Sequence, residues 1–212
     1  MKTFRARVIM SGGFISKLQS DTLFGGMCWA WRELAGEAAL RDLLCACREG
    51  NPPFVLSDMF PGEYLPRPML PRRQAAGEMS KEESLKQARQ AKQLKGITWY
   101  TQDEFLAAIR GEEIIPASKQ NPLITAVTLH NTISRLTGMT VDEGGLYELA
   151  ETFCRPVEKG EEPYLSLYLK ITEGWEEHVR SCLELLGCFG VGRRKSVGKG
   201  GFTLDGFEPF AE

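Results

Sequence analysis

The segment Phe189-Gly-Val-Gly-Arg-Arg-Lys-Ser-Val-Gly-Lys-Gly-Gly-Phe202 restricts the fold of this 212-residue chain more than any other. Its five glycines free the backbone to take positive φ and to approach another group closely. Neither a helix nor a strand tolerates glycine at that density, so the segment must be a loop between two regular elements. Successive N–H groups in such a loop can cradle phosphate oxygens, with Arg193, Arg194, Lys195 and Lys199 adding charge. Two nucleotide motifs fail. A Walker A loop needs G-x-x-x-x-G-K-[ST] between a strand and a helix; here Gly192 to Gly198 is one residue too long and Gly200 replaces Ser or Thr. A dinucleotide fingerprint fails because Lys195 stands at the third glycine position. A flexible linker is the remaining alternative, and the flanking Phe189 and Phe202 favour a loop fixed in a fold.

The residues around the loop read as alternating strands and amphipathic helices. Residues 3–10 place Phe4, Ala6, Val8 and Met10 on one side and Arg5 and Arg7 on the other, a half-buried strand with a basic open face. Ser20 or Asp21 caps a helix to about residue 34, with Leu23, Met27, Trp31 and Leu34 on its stripe. A second helical stretch covers about 36–48, and 52–58 reads as a strand. Residues 59–122 differ: prolines open them, and Lys86, Arg89, Lys92 and Lys95 recur three apart in a polar stretch, along a drifting helical face or an extended arm. Within them 97–100 suits a strand and 101–110 a helix. The pattern resumes at 123–130, a strand. Residues 146–154 and 164–171 then read as an antiparallel pair across the turn 158–163. Residues 173–186 form an amphipathic helix ended by Gly187, and 202–207 the last strand.

Without the insertion this order predicts an α+β, ferredoxin-like (RRM-like) βαββαβ core, with a large thumb-like insertion and the glycine-rich loop before the last strand. One sheet face takes the helices and the other stays open.

Charge supports a divided surface. The formal net charge is −2, yet acids gather at 142–151, 158–162 and 173–184 while the basic clusters contain none. The six cysteines lack zinc-site spacing and read as buried reduced thiols; no metal and no cofactor is expected. No run of about eighteen apolar residues predicts a membrane span, and a cytoplasmic protein is expected.

Four segments carry a family resemblance in order along nearly the whole chain: Ser20-Asp-Thr-Leu-Phe-Gly-Gly-Met-Cys-Trp-Ala30; Pro53-Phe-Val-Leu-Ser-Asp58 with Phe60-Pro61, then Leu65-Pro-Arg-Pro68; Asn131-Thr-Ile-Ser-Arg-Leu-Thr-Gly138 followed by Gly145-Leu-Tyr147; and the glycine-rich loop. They resemble the RAMP (repeat-associated mysterious protein) superfamily of CRISPR systems, and more narrowly the Csm-type (type III-A) subunit that caps the guide RNA 5′ handle. The resemblance implies a non-catalytic RNA-binding subunit in an antiviral ribonucleoprotein complex. Its partners would be guide RNA, target RNA, a large polymerase/cyclase-like subunit and a backbone RAMP subunit. Family members usually continue into a second C-terminal ferredoxin-like domain. This chain ends at Glu212, so one domain over 1–212 is expected, with its insertion at about 59–122 acting as the thumb through Lys86, Arg89, Lys92 and Lys95. RNA contacts are expected at Arg5, Arg7, Ser20, His130 and Arg135. In the loop they are expected at Gly190, Gly192, Arg193, Arg194, Lys195, Ser196, Gly198, Lys199 and Gly200.

Other residues admit two readings. Asp21 suits a loop aspartate that cuts RNA, as in the backbone RAMP, or a helix cap; the cap is favoured. Arg135 suits a phosphate contact or an ion pair. Trp29, Trp31 and Trp175 read as core, whereas Trp99 and Tyr100 suit base stacking or core equally. His178 falls on a polar helix side. A RAMP endoribonuclease that processes repeat RNA is the alternative function; it would use histidine as general acid or base, and the chain has only two, His130 and His178. The equivalent subunit of another type III subtype is a third possibility.

Overall fold

The computed structural model describes residues 1–70, 89, 96–112, 121–141, 145–156 and 160–210. The alternation at the start becomes β1 (Lys2–Met10), with Phe4, Ala6 and Val8 buried. Helix α1 (Ser20–Arg48) is two helical segments joined at Gly36, whose φ of 89° and ψ of 173° lie outside the helical region. This is the break expected between 34 and 36. Leu23, Met27, Ala30 and Leu43 of α1 are buried and Trp31 packs against the core. Leu34 is exposed, so the buried stripe stops a turn before the break.

Neither Ser20 nor Asp21 caps this helix. The Ser20 N–H donates to Asp58 Oδ1 at 2.7 Å, while Asp21 Oδ1 accepts locally from the Thr22 N–H at 2.6 Å. Asp58 belongs to β2 (Phe54–Pro61), and the Met59 N–H donates to the Leu18 carbonyl at 3.0 Å, so the strand runs beside the helix start and supplies the acceptor.

Strand β7 (Leu165–Ile171) occupies the middle of a four-stranded antiparallel sheet of order β2-β7-β1-β8, where β8 is Phe202–Pro209. With α1 after β1 and α3 (Glu176–Phe189) after β7, this is the ferredoxin-like βαββαβ order. The register puts Phe4 opposite Leu169, Ala6 opposite Leu167 and Val8 opposite Leu165, all facing the helices. Val179, Cys182, Leu183 and Leu186 of α3 complete that core. Arg5 and Tyr168, paired in the same register, face the open side.

The structure corrects the strand pairing expected after residue 123. Strand β6 (Leu146–Cys154) pairs with β5 (Leu123–Asn131) in a separate hairpin, not with β7. Composition explains this: Leu165, Leu167, Leu169 and Ile171 are all buried, which suits an interior strand, whereas β6 carries Glu148 and Glu151. The excursion between the core strands therefore runs from 62 to 164 rather than 59–122. It includes the ladder of β3 (Leu65–Pro66) with β4 (Trp99–Tyr100) and helix α2 (Gln102–Arg110), close to the expected strand and helix. Ile97, Tyr100 and Ala108 form a small core there. Lys86, Lys92 and Lys95 lie outside the described residues; Arg89 is helical and exposed.

Three smaller expectations change. Helix α3 continues past Gly187 to a cap at Gly190. A side chain at Gly187 would run into the carbonyl oxygen of Phe202, so glycine there lets α3 lie against β8. Trp29 is exposed with the Arg32 guanidinium 5.1 Å from its ring, although Trp31 and Trp175 do pack on the core. All six cysteines are free, but only Cys182 is buried, while Cys45 and Cys188 are exposed at helix surfaces. Burial pushes Cys28 and Cys154 up to about 11 and Cys182 up to about 12, so these three remain thiols at neutral pH. No described helix is long and apolar enough to cross a membrane.

The cap makes a stability prediction. Asp58→Ala removes the acceptor for the half-buried Ser20 N–H and is expected to destabilise the fold by about 1–2 kcal/mol in urea unfolding, with Asp58→Asn recovering most of it. An unchanged midpoint for Asp58→Ala would remove the cross-strand cap.

Candidate functional site

The 189–202 segment is a tied loop, not a linker. Val191 is buried in the main core, and its N–H donates to the Gly200 carbonyl at 2.9 Å. The Ser11 N–H donates to the Gly201 carbonyl at 2.9 Å, and the Gly200 N–H to the Gly13 carbonyl at 3.3 Å. From the other side, the Arg193 N–H donates to Ser16 Oγ at 3.0 Å. A 3₁₀ turn, Lys195–Val197, forms the loop's outer end between two left-handed residues, Arg194 (φ 59°) and Gly198 (φ 83°). Arg194 is the one non-glycine residue with positive φ among the described residues, a conformation that needs outside support.

Two glycines in the loop differ in what they do. Gly200 is buried at φ 73°, and a Cβ there would run into the Val191 carbonyl oxygen, so it belongs to the loop's foundation. Gly198 is exposed and nothing lies near a Cβ built on it. Of the two, Gly198 is the one whose Cα face lies open to a ligand, while its N–H donates to the Lys195 carbonyl at 3.0 Å.

The loop's cations also divide. Arg193 and Lys195 are exposed, as is Ser196, and neither cation has an ion-pair partner among the described residues. Arg194 donates through Nη1 to the Tyr147 hydroxyl at 3.2 Å, with its guanidinium carbon 5.1 Å from that ring's centroid. Tyr147 stacks on His130, with centroids 5.5 Å apart and planes 17° from parallel. His130 Nε2 lies 3.0 Å from Thr128 Oγ1. Lys199, by contrast, is engaged: its Nζ donates at 2.8 Å to Glu151 Oε2, a carboxylate with only 5% of its residue surface exposed.

The fold thus joins the tip of the β5–β6 hairpin to the loop, and brings the expected residues His130 and Arg194 together around Tyr147. Arg135 is exposed beyond β5, without an ion pair among the described residues. Ser20 is half-buried with its N–H bound to Asp58. Arg5 and Arg7 do not join the site. Arg5 lies on the open sheet face between Glu208 (2.7 Å) and Glu63 (3.1 Å), and the hydrogen bond to Glu208 first, then the nearby acids, raise its pKa further. Arg7 lies 3.0 Å from Asp205 Oδ2 at its Nε, off the direction of a hydrogen bond, with its guanidinium 4.0 Å from the Tyr164 centroid. The basic strand face expected from the sequence is largely neutralised by acids distant in the chain.

Sequence reasoning did not single out Ser16, Glu151 or Gly13, the support of the loop, nor assign a role to Tyr147. For Tyr147 there was a signal, since it ends the Gly145-Leu-Tyr147 motif and its strand pairs with the one that bears His130. Beside Ser16 opens a groove of about 470 Å³, lined by Lys17, Trp99, Asn121 and Thr152 among others. The ensemble of exposed cations, open backbone and aromatic rings at a groove can hold a nucleic-acid strand. Among the described residues no group of three or more His, Cys, Asp or Glu converges as a metal site.

No family model and no curated protein matches the chain. Solved structures do. A chain of the crystal structure of a Csm1–Csm4 cassette in complex with pppApA aligns at TM-score 0.63 and 20% identity, over 88% of this chain and 66% of that one. A chain of the Csm3–Csm4 subcomplex in the type III-A CRISPR-Cas interference complex aligns at TM-score 0.52 and 14% identity, over 100% of this chain and 70% of that one. The cryo-EM structure of the type III-B Cmr-beta complex bound to cognate target RNA gives 0.52 and 9%, over 98% and 60%. The first two carry the Csm designation that the sequence resemblance led to, the third is a Cmr complex, and at these identities the likeness is one of fold. The chain spans about two thirds of the length of the Csm1–Csm4 cassette chains it matches.

The buried pair generates a prediction. Lys199→Met strands the Glu151 carboxylate and is expected to destabilise the chain by about 3 kcal/mol. Adding Glu151→Leu should restore much of that loss, since the unpaired charge is gone. Equal stability of Lys199→Met and wild type in chemical unfolding would remove the pair from the loop's support.

Proposed function

We propose that this chain is a non-catalytic subunit of a type III CRISPR RNA-guided interference complex, holding the 5′ handle of the guide RNA and contacting the guide–target duplex. The observation that carries this reading is the tied loop with its outward cations left unused, Arg193 and Lys195, beside the open Cα face of Gly198 and next to the Arg194–Tyr147–His130 stack. Unpaired cations on a fixed loop bind phosphates at little reorganisation cost, and the stacked rings offer a base a platform. The fold likeness to chains of Csm1–Csm4 and Csm3–Csm4 assemblies supports the same role. In it, the excursion that leaves the sheet after β2 serves as the thumb that crosses the duplex, and Lys86, Arg89, Lys92 and Lys95 are its basic residues. The partners are guide RNA, target RNA, a large polymerase/cyclase-like subunit and a backbone RAMP subunit, in the cytoplasm. In this reading His130, whose Nε2 lies 3.0 Å from Thr128 Oγ1 and whose ring stacks on Tyr147, serves the binding surface rather than acid–base chemistry.

Two measurements test this. Neutralising Arg193 and Lys195 should weaken binding to guide RNA and reduce the slope of log K against log salt by about 0.7 per lost single-strand contact. Gly198→Val, forced into a strained positive φ at the exposed turn, should weaken binding with the slope nearly intact. Full affinity in both folded variants would leave the loop without its role. Separately, the purified chain should leave labelled repeat RNA intact with and without divalent metal; specific cleavage lost in His130→Ala would establish the RAMP endoribonuclease reading instead.

A further inference from the structure

The sheet face opposite the helices carries a row of aromatic rings outside the main core, whose Trp99–Phe60 end borders the groove beside Ser16 and whose Tyr168–Phe210 end lies apart from it. Trp99 and Phe60 lie 6.4 Å apart by centroid, Phe60 and Tyr168 6.3 Å, and Tyr168 and Phe210 5.2 Å, the last pair edge-to-face at 68°. The Arg5 guanidinium closes the row 5.8 Å from the Phe210 centroid. All four rings are half-buried, with part of their surface open. The row crosses the sheet by register: Phe60 stands on β2 opposite Ser166, Tyr168 on β7 opposite Arg5, and Phe210 follows β8 with its N–H on the Thr3 carbonyl. At its Tyr168–Phe210 end lies a cavity of about 430 Å³, which Val55, Leu65 and the exposed Gln102 of α2 also line. That volume falls in the range of small-ligand sites.

We propose that this open face binds an unpaired base of single-stranded RNA, stacked at Tyr168 and Phe210 with the Gln102 amide at the base's polar edge. The inference rests on the RNA-holding reading but assigns it a second surface, on the opposite side of the sheet from the helices. Three observations select a base over other occupants. Flat apolar rings beside an amide suit a heterocycle, since an amide reads base edges and rings accept base faces. Arg5 is matched by Glu63 and Glu208 and Arg7 by Asp205, and Lys170, which also lines the cavity, is engaged too, so among the described residues the face offers no cluster of unpaired cations for phosphates. Four-stranded sheets of this topology can present aromatic rings to two or three bases.

The full chain would be titrated with a fluorescent short oligoadenylate at several salt concentrations. Tyr168→Ala and Phe210→Ala should each weaken binding about tenfold, within the range of one base stack, with the salt slope unchanged. Tyr168→Phe should bind as wild type, which separates stacking from a folding defect, and thermal melts identify any variant that fails to fold. The loss should recur when Arg193 and Lys195 are already neutralised. If wild type binds neither oligoadenylate nor guide RNA, the RNA-holding reading falls with this one. If it binds and Tyr168→Ala and Phe210→Ala match it, the open-face site alone is overturned. A photo-crosslinking amino acid at Val55 in the assembled complex should capture RNA; capture of protein alone would assign the face to a subunit interface and overturn the proposal.

Discussion

Strand β7 is the constraint on which the rest of the structure depends. Its inward positions are Leu165, Leu167, Leu169 and Ile171, all buried together with Ser166, and that continuous burial fits a strand inside the sheet rather than at its edge. Placed between β2 and β1, it closes the ferredoxin-like order and forces residues 62–164 to leave the sheet after β2 and return before β7. The β5–β6 hairpin belongs to that excursion. Its Glu151 and Tyr147 then meet Lys199 and Arg194, which arrive from the other half of the fold after α3. The candidate site therefore joins two segments far apart in sequence whose meeting is a consequence of where β7 sits.

The same geometry explains what could be read from the sequence. Strand β1, the Gly36 break and the amphipathic α3 were legible because a local period or a backbone-breaking residue determines each. Pairing between strands is not local. Residues 146–154 and 164–171 are separated by a turn-like stretch that looks like a hairpin connection, and only the buried leucines of the latter distinguish an interior strand from a peripheral one. The helix cap was misread for a related reason: Ser20 and Asp21 satisfy the local preference, yet a carboxylate on a neighbouring strand reached the Ser20 N–H. In the loop, the glycines and cations were visible, but the division of labour among them was not. Gly200 is fixed by the Val191 carbonyl and Lys199 by a buried acid, contacts that composition does not disclose.

That division decides where binding can come from. A net charge of −2 says little, because the relevant quantity is which cations remain without an acid once folded. Arg5, Arg7 and Lys199 acquire acidic neighbours 2.7–3.1 Å away, whereas Arg193 and Lys195 have none among the described residues. A phosphate approaching Lys199 competes with Glu151, a buried carboxylate whose one ion-pair partner among the described residues is Lys199. Displacing it leaves a buried charge unpaired, which outweighs what an exposed phosphate contact returns. Lys199 therefore holds the loop in shape, and the two exposed cations ahead of it are available to a ligand. Arg194 lies between these cases: its partner is the neutral Tyr147 hydroxyl, which leaves the guanidinium's charge uncompensated and the rest of its donor fork open. A strand bound at Arg193 and Lys195 can thus recruit Arg194 without dismantling its contact to Tyr147, and through that ring reach His130. Arg194, the one described non-glycine residue with positive φ, thus meets the hairpin at Tyr147 while Arg193 and Lys195 on either side are exposed.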